Sequence, residues 1–177
     1  MIERSPIGSL AIRAATPADA EHIADIYNYY VANTVITFEE TAVSAAEMAT
    51  RIAEIQDQGL PWLVAELDGQ LTGYSHAGKW KSRSAYRYSI ETTIYLRNGL
   101  EGRGIGTRLY AALLPILESC GVHAVMGGAA LPNPASEALH QRLGFQRVAT
   151  FHQVGFKHGK WVDVAYWQRI LDAGSAR

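Results

Sequence analysis

The residues best suited to chemistry lie in one run, Ile94-Tyr95-Leu96-Arg97-Asn98-Gly99-Leu100-Glu101-Gly102-Arg103-Gly104-Ile105-Gly106-Thr107. Here a strand-like segment passes through a glycine-rich turn into a helix. Glycines at 102, 104 and 106 let backbone N–H groups turn inward, and the helix N-terminus adds partial positive charge. Such a cradle suits a phosphate or pyrophosphate. The spacing is neither G-x-G-x-x-G nor a P-loop with its lysine, which disfavours the common nucleotide motifs. The competing reading is a loop that needs flexible residues and binds nothing.

Other reactive side chains are less suggestive. Cys120 is the only cysteine, so the chain can form neither an intrachain disulfide nor a Cys-rich zinc site. It follows a helix, away from that helix's positive end, and reads as a buried inert thiol rather than a nucleophile. The six histidines, at 22, 76, 123, 140, 152 and 158, show no H-x-x-x-H or H-E-x-x-H spacing, so no metal is expected.

The elements that must position the run follow from pattern. The chain has 177 residues, 48% hydrophobic and 19% charged, the balance of one globular domain. We expect a single domain over 1–177 with its core at about 9–171. Sixteen Lys+Arg against seventeen Asp+Glu leave a net charge of -1, which argues against nucleic acid or an anionic membrane as the main partner. Met1 to Leu10 contains Glu3, Arg4 and Pro6 and no apolar core of secretory length, and no apolar run is long enough to span a bilayer. The expected location is the cytoplasm.

Ser9 to Arg13 reads as a short strand. Thr16-Pro17-Ala18-Asp19 opens a helix whose apolar face is Ile23, Ile26, Tyr27, Tyr30 and Val31. Ser44-Ala45-Ala46-Glu47 is a capping box for a second helix, with stripe Met48, Ile52 and Ile55 and a stop at Gly59. Trp62 to Leu67, the turn Asp68-Gly69 and Gln70 to Trp80 form a hairpin signal. Tyr88 to Leu96 is a strand. Gly104 to Ser119 is a helix with Ile105, Leu109, Ala112, Leu113 and Ile116 on one face and Pro115 in its interior. His123 to Ala129 is a strand, Pro134 to Leu143 a short helix, and Phe145 to Ile170 two more strands. The order β-α-α-β-β-β-α-β-α-β-β is an α/β layering on one mixed sheet.

The strand, the glycine turn and the helix resemble the acetyl-CoA-binding motif of the GNAT N-acetyltransferase superfamily. Asn133-Pro134-Ala135-Ser136, with Leu139-His140 and Leu143-Gly144-Phe145, resembles that superfamily's next motif at the expected distance. The tail Gly155-Phe156-Lys157-His158-Gly159-Lys160-Trp161-Val162-Asp163 and the stretch Tyr86 to Glu91 resemble its phosphinothricin and methionine sulfoximine (sulfone) acetyltransferase branch. The resemblance implies an α/β fold with a mixed, mostly antiparallel sheet of about seven strands flanked by about four helices, splayed to hold acetyl-CoA. Two departures stand out. Glu101 replaces the usual Gln or Arg near the phosphates, and His140 replaces the tyrosine that many members use as general acid.

The resemblance further implies a site. Ile94, Tyr95 and Leu96 would pair with the pantetheine arm, and one N–H, from Ile94 or Leu96, would polarise the thioester oxygen. Gly102, Arg103, Gly104, Ile105, Gly106 and Thr107 would cradle the pyrophosphate, and Asn133 and Ser136 would contact the arm. Glu91 would be the base, directly or through a water, and His140 the second catalytic residue. A carboxylate with an unperturbed pKa of about 4.3 needs burial to serve an ammonium; otherwise Glu91 is a sheet-edge carboxylate paired with Arg87 or Lys79. Phe38, Glu39, Ser84, Ala85, Tyr86 and Arg87 would bind the acceptor, Arg87 by forking its carboxylate. The implied reaction is direct acetylation of the α-amine of a small amino-acid analogue, by a homodimer. Acetylation of another amine (a protein N-terminus, polyamine or aminoglycoside) and a non-catalytic acyl-CoA sensor are the alternatives.

Overall fold

The computed structural model describes residues 9–171; residues 1–8, with Glu3 and Arg4, and 172–177 lie outside the described residues. The strands are β1 (Leu10–Ala14), β2 (Trp62–Leu67), β3 (Gln70–Lys79), β4 (Ser89–Leu96), β5 (Ala124–Ala130), β6 (Gln146–Lys157) and β7 (Lys160–Ile170). The helices are α1 (Ala20–Asn33), α2 (Ala45–Asp57), α3 (Ile105–Ser119) and α4 (Pro134–Arg142). Pro17–Asp19 and Ser84–Tyr86 form single 3₁₀ turns. The element order and the mixed seven-stranded sheet with four helices are those expected.

Local chemistry explains the ends. Ser44 caps α2 by accepting from the Glu47 N–H at 3.1 Å. Asp19 accepts from the Thr16 N–H at 2.7 Å, and Arg13 forks the same carboxylate at 2.7 and 2.8 Å, fastening the entrance of α1 to β1. Asp68 and Gly69 turn the β2–β3 hairpin with positive φ, the conformation that Asp and Gly tolerate best.

The sheet runs β1-β2-β3-β4-β5-β7-β6, and every pair is antiparallel except β4–β5. One core lies on the α3 face (Leu109, Leu113, Leu117, Trp167); the other lies under α1 and α2 (Ile23, Met48, Ile52, Tyr74). Two burial expectations need correction. Ile116 is exposed, because the buried face of α3 runs through Leu113, Leu114 and Leu117 instead. Cys120 is exposed rather than buried: α3 ends at Ser119, so Cys120 is its cap and leaves the apolar stripe.

The parallel pair positions the site. β4 and β5 are in register only from Ser89↔Ala124 to Thr92↔Gly127, after which they diverge. The Trp80 N–H donates to Ser89 and the Arg97 N–H to Thr72, so odd-numbered residues of β4 engage β3. By alternation the backbone groups of even-numbered residues point toward β5. Beyond Thr92 the β5 strand has turned away, and the N–H groups of Ile94 and Leu96 face the opening. The Leu96 carbonyl accepts the Tyr30 hydroxyl at 2.7 Å.

Candidate active site

A cavity of about 400 Å³ occupies the gap between β4 and β5. Glycine conformation shapes its upper wall. Gly104 caps α3 with φ +83°, and Gly102 has φ +74°; both lie in the left-handed region that a side chain rarely adopts. With Gly104 folded this way, the first N–H groups of α3 have no earlier turn to bond to and form an anion cradle. Gly106 packs against Ile94 and Leu139, where an added Cβ would lie 3.3 Å from Ile94 Cδ1.

Asn133 forms the opposite wall. Its side-chain oxygen accepts from the Ser136 N–H at 3.0 Å, capping α4. Because the oxygen is used there, the free amide group is the NH₂, a donor for an amide or carbonyl of a bound arm. Glu101 lines the cavity, and its carboxylate accepts from the Gly99 N–H at 2.9 Å and the Tyr30 hydroxyl at 3.3 Å. The negative charge is thus held by one donor of the loop and one of α1.

Glu91 lines the floor of the cavity. Burial pushes its carboxyl above the usual range, while a hydrogen bond donated by Tyr166 and the charge of Lys81 pull it back. The Tyr166 hydroxyl is pushed up to about 12 by burial and by Glu91, so it remains a donor. Arg87 does not pair with Glu91. Its guanidinium donates to the Ser84 carbonyl at 3.2 Å and lies 4.5 Å from the centre of the Tyr88 ring.

His140 is buried, at 2% exposure, and stacks on Trp167 at 5.1 Å between ring centres. Its Nδ1 lies 2.8 Å from the Ser136 carbonyl. A carbonyl only accepts, so Nδ1 carries the proton and a neutral ring leaves a lone pair on Nε2, which has no partner. Burial lowers the His140 pKa against that bond, which favours the neutral form. In that form His140 has no Nε2 proton to give as an acid.

The cavity therefore gathers Glu91, His140, Asn133 and Ser136 with Ile94, Tyr95 and Leu96 and with Gly102, Gly104, Gly106 and Thr107. The Arg103 side chain is exposed, whereas the Ile105 side chain is buried in the core, so only backbone groups of Ile105 suit the cradle. The expected acceptor residues lie elsewhere. Ser84, Ala85, Tyr86 and Arg87 are exposed on the 3₁₀ turn before β4. Phe38 packs on Gly155, and Glu39 pairs with Arg51 at 2.7 Å.

Sequence reasoning missed Tyr30, Ile36, Thr93, Tyr110 and Gly128, all in the cavity wall. The adjacent pair Gly127-Gly128 inside a strand is the signal that could have been read. An added Cβ at Gly127 would collide with His140 Nε2, and one at Gly128 would lie 3.1 Å from Glu91 Oε1. Among the described residues no group of three His, Cys, Asp or Glu is placed to hold a metal, and no helix is long and apolar enough to cross a membrane.

A splayed parallel pair with a glycine cradle on one side and a half-buried carboxylate at its floor defines an acyl-CoA-dependent acyltransferase. Comparison with known families agrees: the acetyltransferase (GNAT) domain model matches residues 12–166, and the chain belongs to that family. A phosphinothricin N-acetyltransferase of Streptomyces viridochromogenes is 38% identical over 170 residues, covering 96% of this chain and 91% of that one. An L-methionine sulfoximine/L-methionine sulfone acetyltransferase of Salmonella typhimurium is 35% identical, covering 94% and 98%. An acetyltransferase structure from Salmonella typhimurium with its cofactor acetyl-CoA superposes with a TM-score of 0.91 at 34% identity, covering 96% and 98%.

Proposed function

We propose that this chain transfers the acetyl group of acetyl-CoA to the α-amine of a small amino-acid analogue of the phosphinothricin or methionine sulfone kind, by direct attack in a ternary complex. One observation carries the reading. Past Thr92 the N–H groups of Ile94 and Leu96 face a cavity that also holds Glu91 and the glycine cradle.

The residues divide the work. The cradle and the Asn133 NH₂ hold the pyrophosphate and pantetheine arm. Glu91 takes the proton of the ammonium, directly or through a water, and the amine lone pair then attacks the thioester carbonyl carbon. The Ile94 or Leu96 N–H stabilises the resulting oxyanion; losing such a donor in other enzymes costs roughly 10²–10³ in rate. Collapse breaks the C–S bond. A thiolate, with a pKa of about 8.5 in a free thiol, leaves without a strong acid. We assign neutral His140 to fixing the wall of the site against Trp167 and Ser136 rather than to giving that proton.

Lys81, beside Glu91, supplies a cation for the acceptor's anionic groups in place of Arg87. The apolar side chains exposed on β6 and β7 support a homodimer. A lone cysteine and a near-neutral net charge fit a reducing cytoplasmic setting.

The test compares methionine sulfone with unoxidised methionine in an acetyl-CoA assay that detects released thiol. A site whose donors serve tetrahedral oxygens should favour the sulfone by about 10² or more in kcat/KM. Equal turnover of both would overturn the substrate class. Turnover only of a peptide N-terminus or a polyamine would move the reading to another amine.

A further inference from the structure

Lys157 is the one lysine buried among the described residues, at 1% exposure. It ends β6 and does not itself line the cavity, yet no carboxylate bonds it. Its Nζ donates instead to the Thr37 carbonyl at 2.8 Å and to the Tyr30 carbonyl at 3.5 Å. Tyr30 stands in the last turn of α1; its carbonyl also accepts from the Thr34 N–H at 3.2 Å and the Thr34 hydroxyl at 2.9 Å, and the negative end of the helix dipole favours a cation there. Burial lowers the Lys157 pKa while Glu40 and Glu39 oppose the shift.

The carbonyl of Thr37 belongs to the loop between α1 and α2, residues 34–44. That loop is fastened again within two residues: the Phe38 ring lies directly over Gly155, two positions before Lys157, where any Cβ would collide with it. Thr37 Oγ1 also bonds the Tyr27 hydroxyl at 2.7 Å. One residue before this clamp, Ile36 lines the cavity. The contacts assigned to acetyl-CoA come from β4, the glycine turn and α4. The loop, through Ile36, is therefore left for the acceptor together with Gly128 and Ala129 of β5.

We propose that Lys157 is a positioning residue that clamps this loop, and so Ile36, against the acceptor side of the cavity. The inference rests on the acetyltransferase reading for its kinetic arm only. Lys157→Met keeps the unbranched apolar stem of the side chain and removes the donor. It should raise the acceptor KM about tenfold or more, the effect of losing one charged hydrogen bond, and leave the acetyl-CoA KM within about twofold. Lys157→Arg, still a donor, should recover part of the loss. Amide exchange of residues 34–44 should quicken in Lys157→Met while α3 keeps its protection. Gly155→Ala leaves Lys157 in place, displaces Phe38 and should raise the acceptor KM with the same selectivity, which covers the case in which Lys157→Met fails to fold. Unchanged exchange in a folded Lys157→Met, or equal rises in both KM values, would overturn the clamp. If the wild-type chain acetylates no α-amine, the function reading falls, and the exchange measurement still decides the clamp.

Discussion

The Tyr166 ring on β7 and the Glu91 carboxylate on β4 approach each other across the width of β5, and Gly128 is the gap through which they meet. Gly128 pairs with Tyr166 in the β5–β7 register. A Cβ there would lie 3.0 Å from the Tyr166 ring and 3.1 Å from Glu91 Oε1, tighter than either neighbour tolerates without moving. The glycine thus lets a tyrosine approach the carboxylate while Glu91 still lines the cavity.

Glu91→Gln should lower kcat by about 10²–10⁴ while changing acceptor binding less, and should flatten the acid limb of the pH–rate profile. Because burial raises the Glu91 pKa, its ionised form costs stability as pH rises through the folded pKa. Thermal unfolding at pH 8 should therefore show Glu91→Gln at least as stable as the wild type. Gly128→Ala should reproduce part of the kcat loss with the carboxylate still present. A folded Glu91→Gln with near-normal kcat would place the base elsewhere.

Gly104→Val tests the cradle. A β-branched residue is strained at φ +83°, and its side chain would also stand where the phosphates are expected. No protein atom lies within 4 Å of the added Cβ, so the cost is in the backbone rather than in a clash. The acetyl-CoA KM should rise by about tenfold or more, and stability should fall by about 1–3 kcal/mol. Titration of a folded variant with acetyl-CoA checks the first, and urea unfolding the second.

The parts of this arrangement that depend on local pattern were legible in the sequence. The Ser44 cap, the Asp68-Gly69 turn and the β4–glycine–α3 run follow from adjacent residues, and the structure places each within a residue or two of its expected position. What depended on tertiary packing was not. The direction of Arg87 is set by the Ser84 carbonyl and the Tyr88 ring, and that of the Glu101 carboxylate in part by the hydroxyl of Tyr30, seventy-one residues away in sequence. The exposure of Ile116 shows how a stripe one position out of phase passes a spacing test and fails in the core.

The dimer expectation sharpens on the structure. β6 is an edge strand, and Val148, Phe151, Val154 and Phe156 on it are each at least half exposed, as is Trp161 on β7 at 63%. A long apolar edge invites pairing unless something covers it. Light scattering should give about twice the 19.4 kDa chain mass, and Trp161→Glu should shift the population toward monomer. A fully active monomer of the wild-type chain at assay concentration would refute the assignment.

His76 should make stability fall on the acid side. It stacks on Trp62 at 4.1 Å between ring centres, and its Nδ1 is buried without a partner. Burial, and then the charge of Arg51, pushes its pKa down to about 4. Arg51 is itself paired with Glu39 and Glu47, so neither carboxylate is free to offset a charged imidazole. The folded pKa lies below the unfolded value of about 6.5, so the unfolded chain binds more protons between the two. Stability from neutral His76 is therefore complete above about pH 6.5 and is lost as pH falls toward 4, by at most about 1.4 kcal/mol per pH unit. His76→Phe keeps the stacking surface and removes the titration. Urea midpoints measured from pH 7 to pH 4.5 should fall less steeply for His76→Phe than for the wild type, whereas parallel declines would show that acid unfolding is governed by other groups.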